Sequence, residues 1–156
     1  MFGFFSSKKV VAFAPVKGRV LDITEVPDAV FSQKMMGDGI AVEPENNTVV
    51  APCDGKVVLI SSTKHAIAIE SDGIEFLIHI GLDTVELGGR GFEVHVTAGS
   101  SVKQGEPLIT FDKDYIMAQE KPLTTMMVIT NMAEKVKSLD KHLSDSLGKV
   151  LTVAVK

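Results

Sequence analysis

One cysteine, no tryptophan, one tyrosine and no long apolar run set the first limits on this 156-residue chain. A lone cysteine, Cys53, cannot form an internal disulfide and fits a reducing compartment. It sits within Ala51-Pro52-Cys53-Asp54-Gly55, where it reads as a small turn residue rather than a nucleophile. With no run approaching ~20 apolar residues, there is no candidate membrane-spanning helix. The start, Met1-Phe2-Gly3-Phe4-Phe5, is apolar, but Lys8 and Lys9 follow it, the reverse of a signal peptide's order. Residues 1–10 therefore read as a short N-terminal tail, residues 11–156 as a single domain, and the chain as cytoplasmic. Charge of neither sign dominates. Sixteen Lys and Arg against twenty Asp and Glu leave a net charge of −4, which disfavours nucleic acid or an anionic membrane as main partner.

Within those limits, 45% hydrophobic and 23% charged residues describe a globular chain long enough to bury a core without staples. Its short Val- and Ile-rich segments are punctuated at close intervals by Gly, Pro and Asp, which argues for an all-β fold. Two stretches are alike: Ala12-Phe13-Ala14-Pro15-Val16-Lys17-Gly18-Arg19-Val20 and Val49-Val50-Ala51-Pro52-Cys53-Asp54-Gly55-Lys56-Val57. Both share Ala-Pro, two variable residues, Gly, a basic residue and Val. A weaker pair joins Ser101 to Ile109 with Asp145 to Leu151. These read as an internally duplicated β unit, too few in copies for a solenoid. Helix signals are scarce. Asp28 to Met36 suits a turn or two, Asp112 suits the cap of a short helix through Gln119, and Asn131 to Leu143 places Val136, Leu139 and Leu143 on one helical side.

The chain centres on Glu75-Phe76-Leu77-Ile78-His79-Ile80-Gly81-Leu82-Asp83-Thr84. Alternation puts Ile74, Phe76, Ile78 and Ile80 on one face of a strand, and Glu75, Leu77 and His79 on the other. His79 stands at the strand's end beside a glycine bend and an acid. There one ring nitrogen can be fixed by backbone and the other presented outward. The plainer alternative is a core histidine satisfied by a carbonyl. A second strand, with Thr63-Lys64-His65 at its start and Glu70 at its end, joins the first through Ser71-Asp72-Gly73. A three-residue loop pairs Glu70 with Ile74 and sets His65 opposite His79. A two-residue Asp72-Gly73 loop slips the register by one and turns His65 to the other face.

Gly37-Asp38-Gly39-Ile40-Ala41, Thr63-Lys64-His65-Ala66 and Ile78-His79-Ile80-Gly81-Leu82-Asp83-Thr84-Val85 resemble the glucose-type enzyme IIA component of the bacterial phosphoenolpyruvate-dependent sugar phosphotransferase system. The likeness extends to Val26-Pro27-Asp28 with Val30-Phe31, Val49 to Gly55, Val102 to Gly105, and Thr130-Asn131. It implies a compact antiparallel β-sandwich built from a duplicated motif, in line with the repeats. It also implies a phosphoryl carrier. The donor is the histidine phosphocarrier protein, the acceptor a cysteine on the IIB domain of a sugar permease, and regulatory proteins are further targets.

The family's phosphorylated histidine matches His79, its second active-site histidine His65, and the threonine that orients that ring Thr63. The rim acids match Asp38 and Asp83, with Gly81 grouped beside them. The family's turn between the histidines is longer by one residue. Shortening it to Ser71-Asp72-Gly73 preserves their facing, which favours the three-residue loop. Two other departures, Thr125 in place of a proline and a partly kept Gly pattern from Asp145 to Val150, lie outside the site.

Those roles agree with elementary chemistry. A neutral imidazole accepts a phosphoryl group at pH 7, the carbonyl near Gly81 holds the Nδ1 proton of His79, and His65 donates to the phosphoryl oxygens. The reaction asks for no metal and no cofactor. Met35, Met36, Ile40, Val42 and Leu82 are candidates for an apolar meeting surface. Met35 and Met36 read equally well as core filling. His95 and His142 match no motif and read as surface residues. The rival class is a zinc-dependent hydrolase or metal-binding β protein using the facing histidines. It would need a third ligand and a general base that the spacing does not provide, and stoichiometric zinc would favour it. A biotin- or lipoyl-type carrier would need an exposed turn lysine, which Met126-Met127 lacks.

Overall fold

In the computed structural model, residues 8–145 and 148–156 are described. The apolar start from Met1 to Phe5 therefore lies outside the described residues, as do Ser146 and Leu147 of the weaker repeat. The strands are β1 (Lys9–Phe13), β2 (Gly18–Asp22), β3 (Asp38–Pro44), β4 (Thr48–Val50), β5 (Gly55–Ile60), β6 (Ala66–Ser71) and β7 (Ile74–Ile80). They continue as β8 (Phe92–Val94), β9 (Ser101–Val102), β10 (Pro107–Phe111), β11 (Thr125–Ile129), β12 (Val136–Lys141) and β13 (Lys149–Val155). The helices α1 (Ala29–Ser32), α2 (Lys113–Ala118) and α3 (Met132–Lys135) are short. Lys9 and Val10 thus belong to a sheet, not to a tail.

A seven-stranded sheet runs in the order β2-β3-β11-β7-β6-β5-β9, and two three-stranded sheets, β1-β13-β12 and β4-β10-β8, accompany it. The pairings are antiparallel throughout. One face of the large sheet carries Ile40, Val42, Ile67, Ile69, Ile74, Phe76, Ile78, Ile80, Met127 and Ile129, all fully buried. They pack with Val10, Val49, Ile109, Phe111, Leu151 and Val153 from the small sheets in one core. The large sheet's other face holds a second, smaller cluster. Leu21, Ala41, Ala66, Ala68, Leu77, Met126 and Val128 meet Ile23, Val26, Phe31 and Leu82 from the loops. Alternation therefore splits β7 as expected, and His79 lies on the thinly covered side.

The duplication is visible in the backbone. Phe13 N–H donates to the Pro52 carbonyl at 2.8 Å, and Val50 N–H donates to the Pro15 carbonyl at 2.7 Å, so the two Ala-Pro turns clasp each other reciprocally. The small sheets repeat one another as well. His95 N–H bonds the Leu108 carbonyl while its ring meets Thr110 Oγ1 at 2.7 Å. His142 N–H bonds the Val150 carbonyl while its ring meets Thr152 Oγ1 at 2.8 Å. His95 is exposed, but His142 is half-buried between its strands.

Two expectations need correction. Ser71 pairs with Ile74 and Glu70 with Glu75, so the hairpin loop is two residues, Asp72 and Gly73, not three. Their φ values of 49° and 85° are those of a type I′ turn, whose twist matches the strands it joins. The expected helix from Asn131 to Leu143 ends at Lys135, and β12 follows. The register of β12 against β13 shifts between Val136 and Ser138. One extra residue in a strand brings positions three apart onto the same face. Val136 and Leu139 both reach the main core this way, which imitates helical spacing. The other two helices form where their caps stand, with Asp28 accepting from Val30 N–H and Asp112 from Tyr115 N–H.

Candidate active site

Along the second face of the large sheet, the row containing His79 reads Leu21, Ala41, Met126, His79, Ala66. His79 thus stands between the buried Met126 and the small Ala66. Phe31, from α1, closes one side with its ring centroid 5.1 Å from that of His79, edge to face. The second imidazole, His65, lies 4.7 Å from His79 with the planes at 81°. It is buried at 7% exposure.

The slipped register pairs His79 with Ala66, which by strict alternation would send His65 to the far face. His65 escapes because it stands outside the pleat. Lys64 adopts a left-handed φ of 63°, Ser61 N–H and Oγ both bond the backbone of Ala66, and β6 begins only at Ala66. The expected meeting of the two rings holds, by a different route from the one expected.

Each ring is held at Nδ1. The His79 Nδ1 lies 2.9 Å from the Gly81 carbonyl, an oxygen that can only accept, so this nitrogen carries the proton. In the neutral ring Nε2 is then an unprotonated lone pair. His65 Nδ1 lies 2.7 Å from the Thr63 hydroxyl and 3.4 Å from that of Ser61. Burial, followed by repulsion from His65, pushes the His79 pKa down to about 4, against partial support from the Gly81 carbonyl, Asp28 and Asp83. Burial lowers that of His65 as well. Both rings are neutral at pH 7.

A pH dependence follows. Below pH ~6.5 the unfolded chain binds a proton on His79 that the folded protein refuses. Stability should therefore fall as pH drops from about 6.5 to about 4, by about 3 kcal/mol from this group, and level off below. Urea unfolding between about pH 7 and pH 4.5 reads this directly, and His79→Gln should remove that part of the slope. An unchanged slope in the variant would assign the acid loss to other groups.

Gly81, expected beside the partner-facing acids, is buried, and its carbonyl turns inward to His79. Its φ is 78°, and an added Cβ would lie 2.5 Å from Thr84 Cγ2 and 2.8 Å from the Pro122 carbonyl oxygen. Gly81→Ala should cost roughly 2–4 kcal/mol in urea unfolding, since left-handed strain and a backbone clash add. A cost below about 1 kcal/mol would show that the bend relaxes freely.

Asp83 is exposed, at a left-handed φ of 58°. Asp38 is half-buried and already engaged. Its Oδ1 accepts from Gly39 N–H and from Lys141 Nζ at 2.6 Å, Lys34 approaches its Oδ2 at 3.5 Å, and Lys141 also holds Asp22 at 2.6 Å. Ile40 and Val42 are fully buried and Leu82 nearly so, which removes them from any meeting surface. Alternation explains the first two, since both lie on the main-core face of β3. Met35 and Met36 are exposed, at 70% and 37%, and Val30 and Val85 join them. Phe31, Ser61, Asp28 and Thr84 escaped notice as site residues. The capping aspartate at 28 and the aromatic three residues on were the available signal for two of them.

The buried Cys53 thiol, pushed up to about 11 by desolvation, is inert, as its turn context suggested. Among the described residues, no group of three or more His, Cys, Asp and Glu is placed to hold a metal ion, and no helix is long and apolar enough to cross a membrane.

The fold and site define an antiparallel β-sandwich protein with a neutral, Nε2-open histidine beside a second imidazole. The sequence model of the phosphoenolpyruvate-dependent sugar phosphotransferase system, EIIA 1, matches residues 10–135, and the chain belongs to that family. It is a phosphotransferase-system component. The glucose permease IIA of Mycoplasma capricolum superposes with a TM-score of 0.85 at 36% identity, over 96% of this chain and 97% of that one. The chain is 50% identical over 133 residues to the glucose-specific EIICBA component of Staphylococcus carnosus, covering 85% of this chain and 20% of that protein. It is 52% identical over 122 residues to the glucosamine-specific EIICBA component of Bacillus subtilis, covering 78% of this chain and 19% of that protein. It thus spans about a fifth of the length of these curated relatives.

Proposed function

We propose that His79 is the residue that carries the phosphoryl group, and that His65, oriented by Thr63, assists its transfer. The observation that carries this reading is the Nδ1 proton of His79 committed to the Gly81 carbonyl, which leaves Nε2 free beside a second ring. The donor is a phosphohistidine on the histidine phosphocarrier protein. Its N–P bond breaks as the His79 Nε2–P bond forms, and the departing imidazole keeps the electron pair. The Nδ1 proton of His79 stays in place, and the Gly81 carbonyl stabilises the positive charge that grows on the ring. Thr63 Oγ1 lies 2.7 Å from His65 Nδ1. With the hydroxyl as hydrogen-bond donor in that pair, His65 takes the other tautomer, and its Nε2–H is turned to the phosphoryl oxygens. The second step runs in reverse sense, from His79 to a cysteine thiolate of a IIB domain. Both partners meet the chain in the cytoplasm. Incubation with phosphoenolpyruvate and the two general carrier proteins should place acid-labile phosphate on the peptide containing His79. Label on any other residue would overturn the assignment.

Docking draws on the apolar residues that flank the site, Val30, Met35, Met36 and Val85, and on the acids Asp38 and Asp83. Asp83 is exposed toward an incoming cation, whereas Asp38 must exchange Lys34 for one. Replacing both with Asn should weaken transfer from the basic donor and flatten its dependence on salt while the fold persists. An unchanged salt dependence would confine Asp38 to its ion pairs and Asp83 to its turn.

A further inference from the structure

Thr84 is fully buried, and the chemistry just described makes no use of it. Its hydroxyl donates to the Ile80 carbonyl at 2.5 Å, across the bend that follows His79. Its methyl Cγ2 stands 2.5 Å from where a Cβ on Gly81 would lie, so it abuts the Gly81 Cα. The bend is also gripped from outside. Gly81 N–H donates to the Thr124 carbonyl at 3.0 Å, and Leu82 N–H donates to the Pro122 carbonyl at 3.1 Å.

These contacts meet in one rigid unit. The peptide joining Gly81 to Leu82 is planar and trans, so its N–H and C=O point in opposite directions. With the N–H fixed on Pro122, the C=O is aimed the other way, and it meets His79 Nδ1 at 2.9 Å. Two loop carbonyls cannot stop that plane from rocking about its Cα ends. Thr84 holds the Gly81 end, with a hydroxyl on the preceding carbonyl and a methyl against the Cα.

We infer that Thr84 is a positioning residue that sets the His79 tautomer, by holding the Gly81 peptide so that its carbonyl accepts the Nδ1 proton and Nε2 stays open. A buried threonine that merely fills space would need no hydroxyl. Here the hydroxyl spans Ile80, the residue between His79 and Gly81. The inference rests on the reading of His79 as the phosphoryl acceptor for its functional meaning, but the tautomer can be read without any transfer.

The test uses Thr84→Val, which keeps the shape and loses the hydroxyl, and Thr84→Ser, which keeps the hydroxyl. Long-range proton–nitrogen NMR of the histidine rings at neutral pH reports which nitrogen of His79 carries the proton. The unmodified protein and Thr84→Ser should show the Nδ1–H form alone. Thr84→Val should show a mixture with Nε2–H, a His79 titration midpoint moved further below the ordinary value because the Gly81 carbonyl supports the charged ring, and an initial rate of phosphoryl uptake lower by about tenfold. Should the valine variant not fold, Thr84→Ala carries the same expectation. A variant lacking the hydroxyl that keeps the pure Nδ1–H form would overturn the inference, as would a Nε2–H form already dominant in the unmodified protein. If the tautomer shifts as expected but phosphate is found elsewhere than on His79, the positioning role stands and the assignment of the acceptor fails.

Discussion

Replacing His79 with alanine is expected to abolish phosphoryl uptake outright, with no residual label above background. No neighbour can substitute. His65 is 7% exposed and its Nδ1 is engaged by Thr63. The Cys53 thiol is buried and protonated at neutral pH. His95 and His142 are tied to threonines of the small sheets, away from the large sheet's second face. Loss of a covalent nucleophile removes the reaction path itself rather than a fraction of its rate. His79→Asn separates chemistry from fold. Its side-chain amide can still donate toward the Gly81 carbonyl but offers no lone pair on nitrogen for attack. The Asn variant should therefore melt near the unmodified protein and still take up nothing. Phosphate appearing on either variant at the normal rate would remove His79 from the mechanism.

The legible part of this molecule was local. Alternation in Ile74 to Ile80 gave the two faces of β7, because side chains of a strand alternate whatever lies across from them. Asp28 and Asp112 gave two helix starts, because a cap is satisfied within three residues. The shared Ala-Pro pattern gave the duplication. The failures were pairings. Asp72-Gly73 is itself a strong hairpin signal, and the facing of His65 and His79 needs no longer loop to hold. Alternation holds only inside a paired strand, and the left-handed Lys64 places His65 just outside it. The extra residue in β12 is decided by its partner β13, which no local pattern reports. The docking acids show the same limit. Asp38, matched as a rim acid, is reached by Lys141 from a distant strand, a contact that no local pattern around Asp38 reports.

Removing His65 should have a different signature from removing His79. His65→Ala leaves the nucleophile, its Nδ1 bond to the Gly81 carbonyl and the row of sheet residues beneath it. Phosphate should still be found on His79. On the proposed reading, what is lost is one preorganised N–H donor to the phosphoryl oxygens. Loss of such a donor costs roughly 10²–10³ in rate where it has been measured in acyl-transfer sites. The lower figure, about 10², is expected here because partner residues also contact the group and share its charge. The same substitution removes the like-charge neighbour that lowers the His79 pKa and admits water to the ring. The His79 midpoint should therefore climb from about 4 toward 6.5, an independent sign that the two rings are coupled. His65→Gln retains an amide N–H where the ring nitrogen stood and should recover part of the rate. Thr63→Val leaves the His65 ring without its nearest hydroxyl and should slow exchange less than His65→Ala does. Exchange at full speed in His65→Ala, with the His79 midpoint unmoved, would reduce His65 to a bystander packed against the ring that does the work.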